Sequence, residues 1–81
     1  MSRIPIHMPK LGYDMETGRV VAWSKRIGDA VHRGDVIAEI ETEKTTVEME
    51  ALASGTLVEI LHEAGDEVPI GEPIAYLDDG V

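Results

Sequence analysis

The 81-residue chain has no cysteine and no phenylalanine, one tryptophan and two tyrosines. Without cysteine it can build neither a disulfide framework nor a thiolate metal site. Any thiol chemistry must therefore arrive on an attached group, and the composition is compatible with a reducing compartment. Cations are scarce as well: seven Lys and Arg stand against 16 Asp and Glu, a formal net charge of −9. Binding to nucleic acid or to an anionic membrane depends on clustered Lys and Arg, so neither is an expected partner. The acidic surplus reads as a solvated surface that also suits basic protein partners. No apolar run approaches the roughly 20 residues of a membrane span. The opening MSRIPIHMPK has no apolar signal core and no Arg/Ser-rich transit pattern, which points to a soluble interior protein.

A chain of this length buries only about 60% of its unfolded surface, so it is a poor vehicle for an enzyme with a deep pocket. It is not a disordered chain either, since 43% of its residues are hydrophobic. One domain over residues 1–81 is expected.

The sequence is written twice. The segment GRVVAWSKRIGDAVHRGDVIAEIET from Gly18 aligns without a gap on GTLVEILHEAGDEVPIGEPIAYLDD from Gly55, an offset of 37. Gly28-Asp29 falls on Gly65-Asp66, Val31 on Val68, Gly34 on Gly71 and Ile37-Ala38 on Ile74-Ala75. Glycines, turn acids and apolar positions match together, which makes the repeat informative about architecture. The halves are about 18–42 and 55–79.

Each half reads as strands and tight turns. Val, Ile and Thr are frequent, and Gly and Pro interrupt any helical period. Gly tolerates positive φ, and Asp hydrogen-bonds its own backbone, so the Gly-Asp pairs suit turns. Strands are predicted at about 3–8, 18–25, 36–42, 45–51, 55–62 and 73–78, with short pieces near Val31 and Val68. Two equivalent half-domains of short strands imply an all-β sandwich or flattened barrel with internal pseudo-twofold symmetry. Trp23 is expected to be a partly buried packing residue rather than a binding platform.

The repeat also predicts where asymmetry lies. The halves are joined by a hairpin with a two-residue tip at Glu43-Lys44. In that register Thr42 faces Thr45, Ile40 faces Val47 and Ala38 faces Met49, a mostly apolar set expected to face inward. Glu41 with Thr46, Glu39 with Glu48 and Ile37 with Glu50 form an acidic, solvated face. The same offset carries Lys44 forward to Val81 and back to His7, so the tip and the chain ends are expected at equivalent poles. Glu-Lys is a poor pair for the commonest two-residue hairpin turn, which needs φ > 0 twice, but it is allowed in a type I turn. Local rules are often broken at functional sites. Lys44 is not a candidate nucleophile in its own right. A nucleophilic lysine needs burial or neighbouring cations, and here Glu41 and Glu43 stand close by, with Glu48 and Glu50 further down the hairpin. Acylation by another enzyme, which supplies the base, fits better.

The stretch Glu39-Ile40-Glu41-Thr42-Glu43-Lys44-Thr45-Thr46-Val47-Glu48 resembles the lipoyl-attachment motif in the acyltransferase (E2) components of 2-oxo acid and acetoin dehydrogenase complexes. Met8-Pro9-Lys10-Leu11, Met15-Glu16-Thr17-Gly18, Gly28-Asp29-Ala30-Val31 and Gly34-Asp35-Val36-Ile37-Ala38-Glu39 extend the resemblance over nearly the whole chain. It implies a flattened barrel of two four-stranded antiparallel sheets, the barrel-sandwich hybrid. Lys44 would then carry lipoate through an amide and swing it between the active sites of the complex. In that family the lipoylating enzyme reads the lysine's position and an acidic residue three places earlier, here Glu41. Glycines recur at positions matching Gly28 and Gly55, and with Glu41 and Glu43 the resemblance implies these as the residues recognised by the lipoylating enzyme. Glu43 stands where the family commonly has Asp, and Thr45 where it has Ala.

The loop Leu11-Gly12-Tyr13-Asp14 differs from the Ser-Pro-Thr of many pyruvate-complex domains. With Glu48 it is the expected surface for partner recognition, and its departure leaves the substrate acid unassigned. The resemblance implies a non-catalytic domain. Its expected partners are a thiamin-diphosphate-dependent E1, the E2 acyltransferase domain, the flavoprotein E3 and a lipoate ligase or lipoyl transferase. It further implies a monomeric domain in a bacterial cytoplasm or a mitochondrial matrix. A biotin carboxyl carrier shares the fold but usually flanks its lysine with methionines. An unmodified structural hybrid barrel usually has a long helical hairpin between its halves. Three scattered histidines suggest no metal site, and no nucleophile motif surrounds the serines.

Overall fold

In the computed structural model, residues 3–10 and 15–80 are described. Eight strands run in chain order: β1 (Arg3–His7), β2 (Thr17–Trp23), β3 (Ala30–Val31), β4 (Val36–Glu41), β5 (Thr46–Glu50), β6 (Gly55–Ile60), β7 (Glu67–Pro69) and β8 (Pro73–Asp78). They form two antiparallel sheets of four strands, ordered β1-β8-β6-β3 and β5-β4-β2-β7. The body is elongated, 38 × 20 × 19 Å.

The strands form where alternation lets one face meet the other sheet. In β2, Gly18 and Val20 are buried while Thr17, Arg19 and Val21 are exposed. The core is as repetitive as the sequence. Val20, Val31, Ile37, Ala38 and Ile40 are buried, and so are their counterparts Leu57, Val68, Ile74, Ala75 and Leu77. Burying each of the larger side chains contributes about 1.5–3 kcal/mol.

The halves do not stand side by side. The short strand of each half pairs into the other half's sheet: β3 lies on β6, and β7 lies on β2. The Gly-Asp turns that lead into these strands cross over in the same way. Gly28 N–H donates to Leu57 O (2.7 Å) and Gly65 N–H to Val20 O (2.6 Å), while Leu57 N–H donates to Asp29 O and Val20 N–H to Asp66 O. Gly28 and Gly65 have φ of 98° and 100°, which an L side chain adopts only with strain. The aspartates act as predicted: Asp29 Oδ2 accepts Arg26 N–H at 2.9 Å, and Asp66 Oδ2 accepts Glu63 N–H at 3.2 Å. Trp23, half-buried at the end of β2, donates its indole N–H to His62 O just beyond β6 (2.9 Å), in keeping with a packing role.

Two sequence expectations need correction. Ile37 does not face Glu50 on the acidic side; Val36 does, and the register shifts between Val36 and Ala38. The bulge turns both Ile37 and Ala38 inward, where they are 1% and 0% exposed. Burial of the isoleucine outweighs one lost ladder position. β8 repeats the device with Ile74 and Ala75. The second correction concerns His7. Ala51 N–H donates to Asp35 O and accepts Gly34 N–H at its own carbonyl, while Met8 N–H donates to Glu72 O and accepts Gly71 N–H. Strand β5 is therefore equivalent to β1 with Ala51 on Met8, an offset of 43 rather than 37. The connection from Met8 to Gly18 is longer than that from Ala51 to Gly55, which shifts the frame. His7 pairs with Pro73, and the counterpart of Lys44 lies ahead of β1, outside the described residues.

Asp35 closes the turn before β4. Its Oδ2 accepts His32 N–H at 2.9 Å and faces Lys25 Nζ at 3.5 Å. The His32 backbone bond, with help from Lys25 and against partial desolvation, holds the carboxyl below its usual 3.8. A lowered carboxyl contributes stability that is complete above the unfolded-state value and is lost as pH falls through the folded one. Asp35→Asn is thus expected to melt earlier than the parent near neutrality. The gap should close in acid below 3.8. A melting difference that stays constant from neutral pH into acid excludes this account.

Candidate functional site

Strands β4 and β5 meet in the turn Thr42-Glu43-Lys44-Thr45. Neither Glu43 nor Lys44 has positive φ, so the tip avoids the turn that best matches strand twist. Thr42 N–H donates to Thr45 O at 2.7 Å. The Thr42 hydroxyl supplies the rest. Its Oγ1 accepts Thr45 N–H (3.1 Å) and Lys44 N–H (3.3 Å) and donates to Thr45 O (2.9 Å). A threonine side chain acting as the turn's acceptor is a local substitute for backbone pairing. It lets two bulky non-glycine residues occupy a two-residue tip.

Glu43, Lys44 and Thr45 are exposed, and Lys44 stands at the apex. Below it the outer face carries cross-strand rows. Thr46, Glu41, Arg19 and Glu67 follow one another across β5, β4, β2 and β7, and Glu39 lies directly opposite Glu48. A concavity of about 620 Å³ opens beside the tip, between the hairpin end Glu41–Lys44 and a rim formed by Met15, Thr17, Arg19 and Glu67. Arg19 thus places one cation among several carboxylates next to Lys44.

The structure brings Glu41, Glu43 and Glu48 together with Lys44 on one hairpin. It does not bring Gly28 and Gly55 there. Gly55 pairs with Val31, Thr56 pairs with Asp78, and Asp78 pairs with Arg3. Both glycines therefore sit at the β1–β8 end of the body, remote from the tip. Gly55 is small for a packing reason: a Cβ there would lie 2.5 Å from Asp78 O. Leu11, Gly12, Tyr13 and Asp14 lie outside the described residues, although the adjoining Met15 lines the concavity. Thr42, Arg19 and Glu67 were not picked out in the sequence as site residues. For Thr42 a signal existed, since Ser or Thr at the first position of a turn is a known acceptor of turn N–H groups. For Arg19 and Glu67 there was none, because their place beside the tip depends on the exchanged strand β7. Among the described residues, no group of three His, Asp or Glu side chains is placed to hold a metal ion.

Residues 4–77 match a protein family described as "Biotin-requiring enzyme", the biotin/lipoyl family. The chain is 45% identical over 76 residues to the dihydrolipoyllysine-residue acetyltransferase component of the acetoin cleaving system of Bacillus subtilis, covering 94% of this chain and 19% of that protein. It is 39% identical over 75 residues to the dihydrolipoyllysine-residue succinyltransferase component of the 2-oxoglutarate dehydrogenase complex of the same organism, covering 93% and 18%. The chain thus spans under a fifth of these curated relatives. Among solved structures, the lipoyl domain of the 2-oxoglutarate dehydrogenase complex from Azotobacter vinelandii superposes with a TM-score of 0.77 at 37% identity, covering 96% of this chain and 99% of that one. Urea carboxylase from Kluyveromyces lactis matches with a TM-score of 0.78 at 29% identity, over 96% of this chain and 6% of that one. The family match covers residues 4–77 and the fold agrees with the solved relatives, and the chain belongs to the family of biotin- and lipoyl-attachment domains.

Proposed function

We propose that this domain is the lipoyl carrier of a 2-oxo acid or acetoin dehydrogenase-type complex, with lipoate joined to Lys44 Nζ as an amide. The observation that carries the reading is the placement of Lys44 at the apex of an exposed two-residue turn, on an acidic hairpin of this fold. The modification removes one cation and makes the formal charge one unit more negative than −9. Lipoate supplies the redox and acyl chemistry when attached. The chain's own residues hold the arm at one pole and present a charged surface to the enzymes that act on it.

E1 loads the arm, the E2 acyltransferase domain unloads it and E3 reoxidises it. The domain catalyses none of these steps. Its contribution is tethering, which raises the local concentration of the arm to the mM range for short flexible linkers. Glu41 and Glu43 are proposed as the residues read by the lipoylating enzyme, and Glu48 with the 11–14 loop as a surface read by E1. Gly28 and Gly55 support this indirectly, by fixing the turn and strand pairing of the barrel. Biotin is the rival cargo. It is disfavoured because Lys44 is flanked by Glu43 and Thr45, while Met49 is turned inward and 7% exposed.

Intact mass after incubation with lipoate ligase, ATP and lipoic acid tests the assignment. The parent is expected to gain one lipoyl group and Lys44→Ala none. No gain, or a gain only with biotin ligase and biotin, assigns the domain to the biotin carriers or to unmodified barrels.

A further inference from the structure

We propose that Thr42 is a positioning residue for the acylation of Lys44: its hydroxyl, rather than the backbone, sets the direction in which the lysine leaves the hairpin. This rests on the carrier reading. In that reaction the Lys44 ammonium gives a proton to the modifying enzyme. The freed amine attacks the activated lipoyl carboxyl carbon. A C–N bond forms, the C–O bond to the activating group (AMP, when ATP is the activator) breaks, and a second proton leaves the nitrogen. The modifying enzyme supplies the base and the activated acyl group. The domain must supply a nitrogen at the right place and angle, and small misplacements of reacting groups are costly in rate.

Three observations make Thr42 responsible for that placement. The central residues of the tip have no positive φ, so the two-residue connection lacks the turn geometry that best matches strand twist. The Thr42 hydroxyl bonds Lys44 N–H, Thr45 N–H and Thr45 O at 3.3, 3.1 and 2.9 Å. Only one backbone–backbone bond, Thr42 N–H to Thr45 O, spans the turn. One oxygen atom therefore fixes both peptide planes that flank the lysine Cα. The hydroxyl touches no cofactor and exchanges no proton in the reaction, so its effect passes through Lys44.

The test compares lipoylation rates of the parent, Thr42→Val and Thr42→Ser across a range of domain concentrations, with melting curves alongside. Valine keeps the branched shape and removes the hydroxyl, whereas serine keeps the hydroxyl. We expect Thr42→Val to lower kcat/KM about ten- to hundredfold. Thr42→Ser should stay within about threefold, and both variants should melt as single folded species. A merely structural hydroxyl would shift the melting point without this separation of rates. In the unsubstituted domain, the Lys44 and Thr45 amides should exchange with solvent more slowly than the Glu43 amide. Thr42→Val lipoylated at the parental rate, or Lys44 and Thr45 amides as fast as free peptide, overturns the inference and leaves the carrier reading intact. A parent that accepts no lipoyl group overturns both.

Discussion

Gly55→Ala is expected to lower the melting point of the domain strongly, while the symmetry-related Gly18→Ala changes it little. The two glycines occupy equivalent positions at the start of β2 and β6, and a Cβ is crowded at both. The difference lies in what it meets. At Gly18 the neighbours are Met15 Cε at 2.7 Å, Met8 Sδ at 2.8 Å and Ile40 Cγ2 at 3.0 Å, all side-chain atoms, the nearest two on flexible methionines. At Gly55 the neighbours are Asp78 O at 2.5 Å and Asp78 C at 3.1 Å, which are backbone atoms of the adjacent strand β8. Methionine repacks at small cost. A strand in a hydrogen-bonded sheet cannot withdraw without losing its ladder. Overpacking that the surroundings cannot relieve costs about 3 kcal/mol or more, a large fraction of the stability of so small a domain. At roughly 4–8 °C per kcal/mol, Gly55→Ala should melt at least about 12 °C below the parent. Gly18→Ala should fall within about 5 °C. Equal melting points for the two variants would refute the distinction.

The acidic hairpin should show the opposite balance, less function for more stability. Glu39 and Glu48 stand directly opposite each other on the outer face, and like charges in that position are destabilising by about 0.2–1 kcal/mol. Folding alone would remove one of them. If the surface exists to meet a basic enzyme, Glu48→Lys should raise the melting point slightly and slow reductive acylation of the lipoylated domain by E1. Adding Glu41→Lys and Glu43→Lys should lower kcat/KM about tenfold to a hundredfold. The loss should appear mainly in association and should shrink with added salt, as for steering by rim charges. Unchanged kinetics in the triple variant would remove the hairpin from the recognition surface. The lipoylation level of each variant must be matched first, because Glu41 and Glu43 are also proposed contacts of the modifying enzyme.

Much of this architecture was legible because it is a matter of period and spacing. The 37-residue repeat placed the strands, the paired cores and the Gly-Asp turns, and alternation fixed the hairpin register from Ala38–Met49 to the tip. What escaped depends on three-dimensional context. The bulge that buries Ile37 leaves no mark in the sequence, since the residue is as compatible with a row opposite Glu50 as with the core. The longer connection after Met8 moved the frame of β1 and sent the equivalent of Lys44 to the wrong residue. Lys44, Glu41, Glu43 and Glu48 were found together because they are local to one hairpin. Arg19 and Glu67 were missed because they reach the tip only through the exchange of β7. Gly28 and Gly55 matched a family pattern, but their position gives them a role in the barrel rather than beside the lysine.

That exchange also bears on ancestry. Each half lends its short strand, with the turn that leads into it, to the sheet of the other. This is the arrangement of a strand-swapped homodimer whose two copies have been joined into one polypeptide. Each half's sheet is completed by the other half's short strand, so neither half is a complete folding unit on its own. The Glu43-Lys44 turn is where the chain passes from one half to the other, which makes it a place for a feature that the repeat does not duplicate.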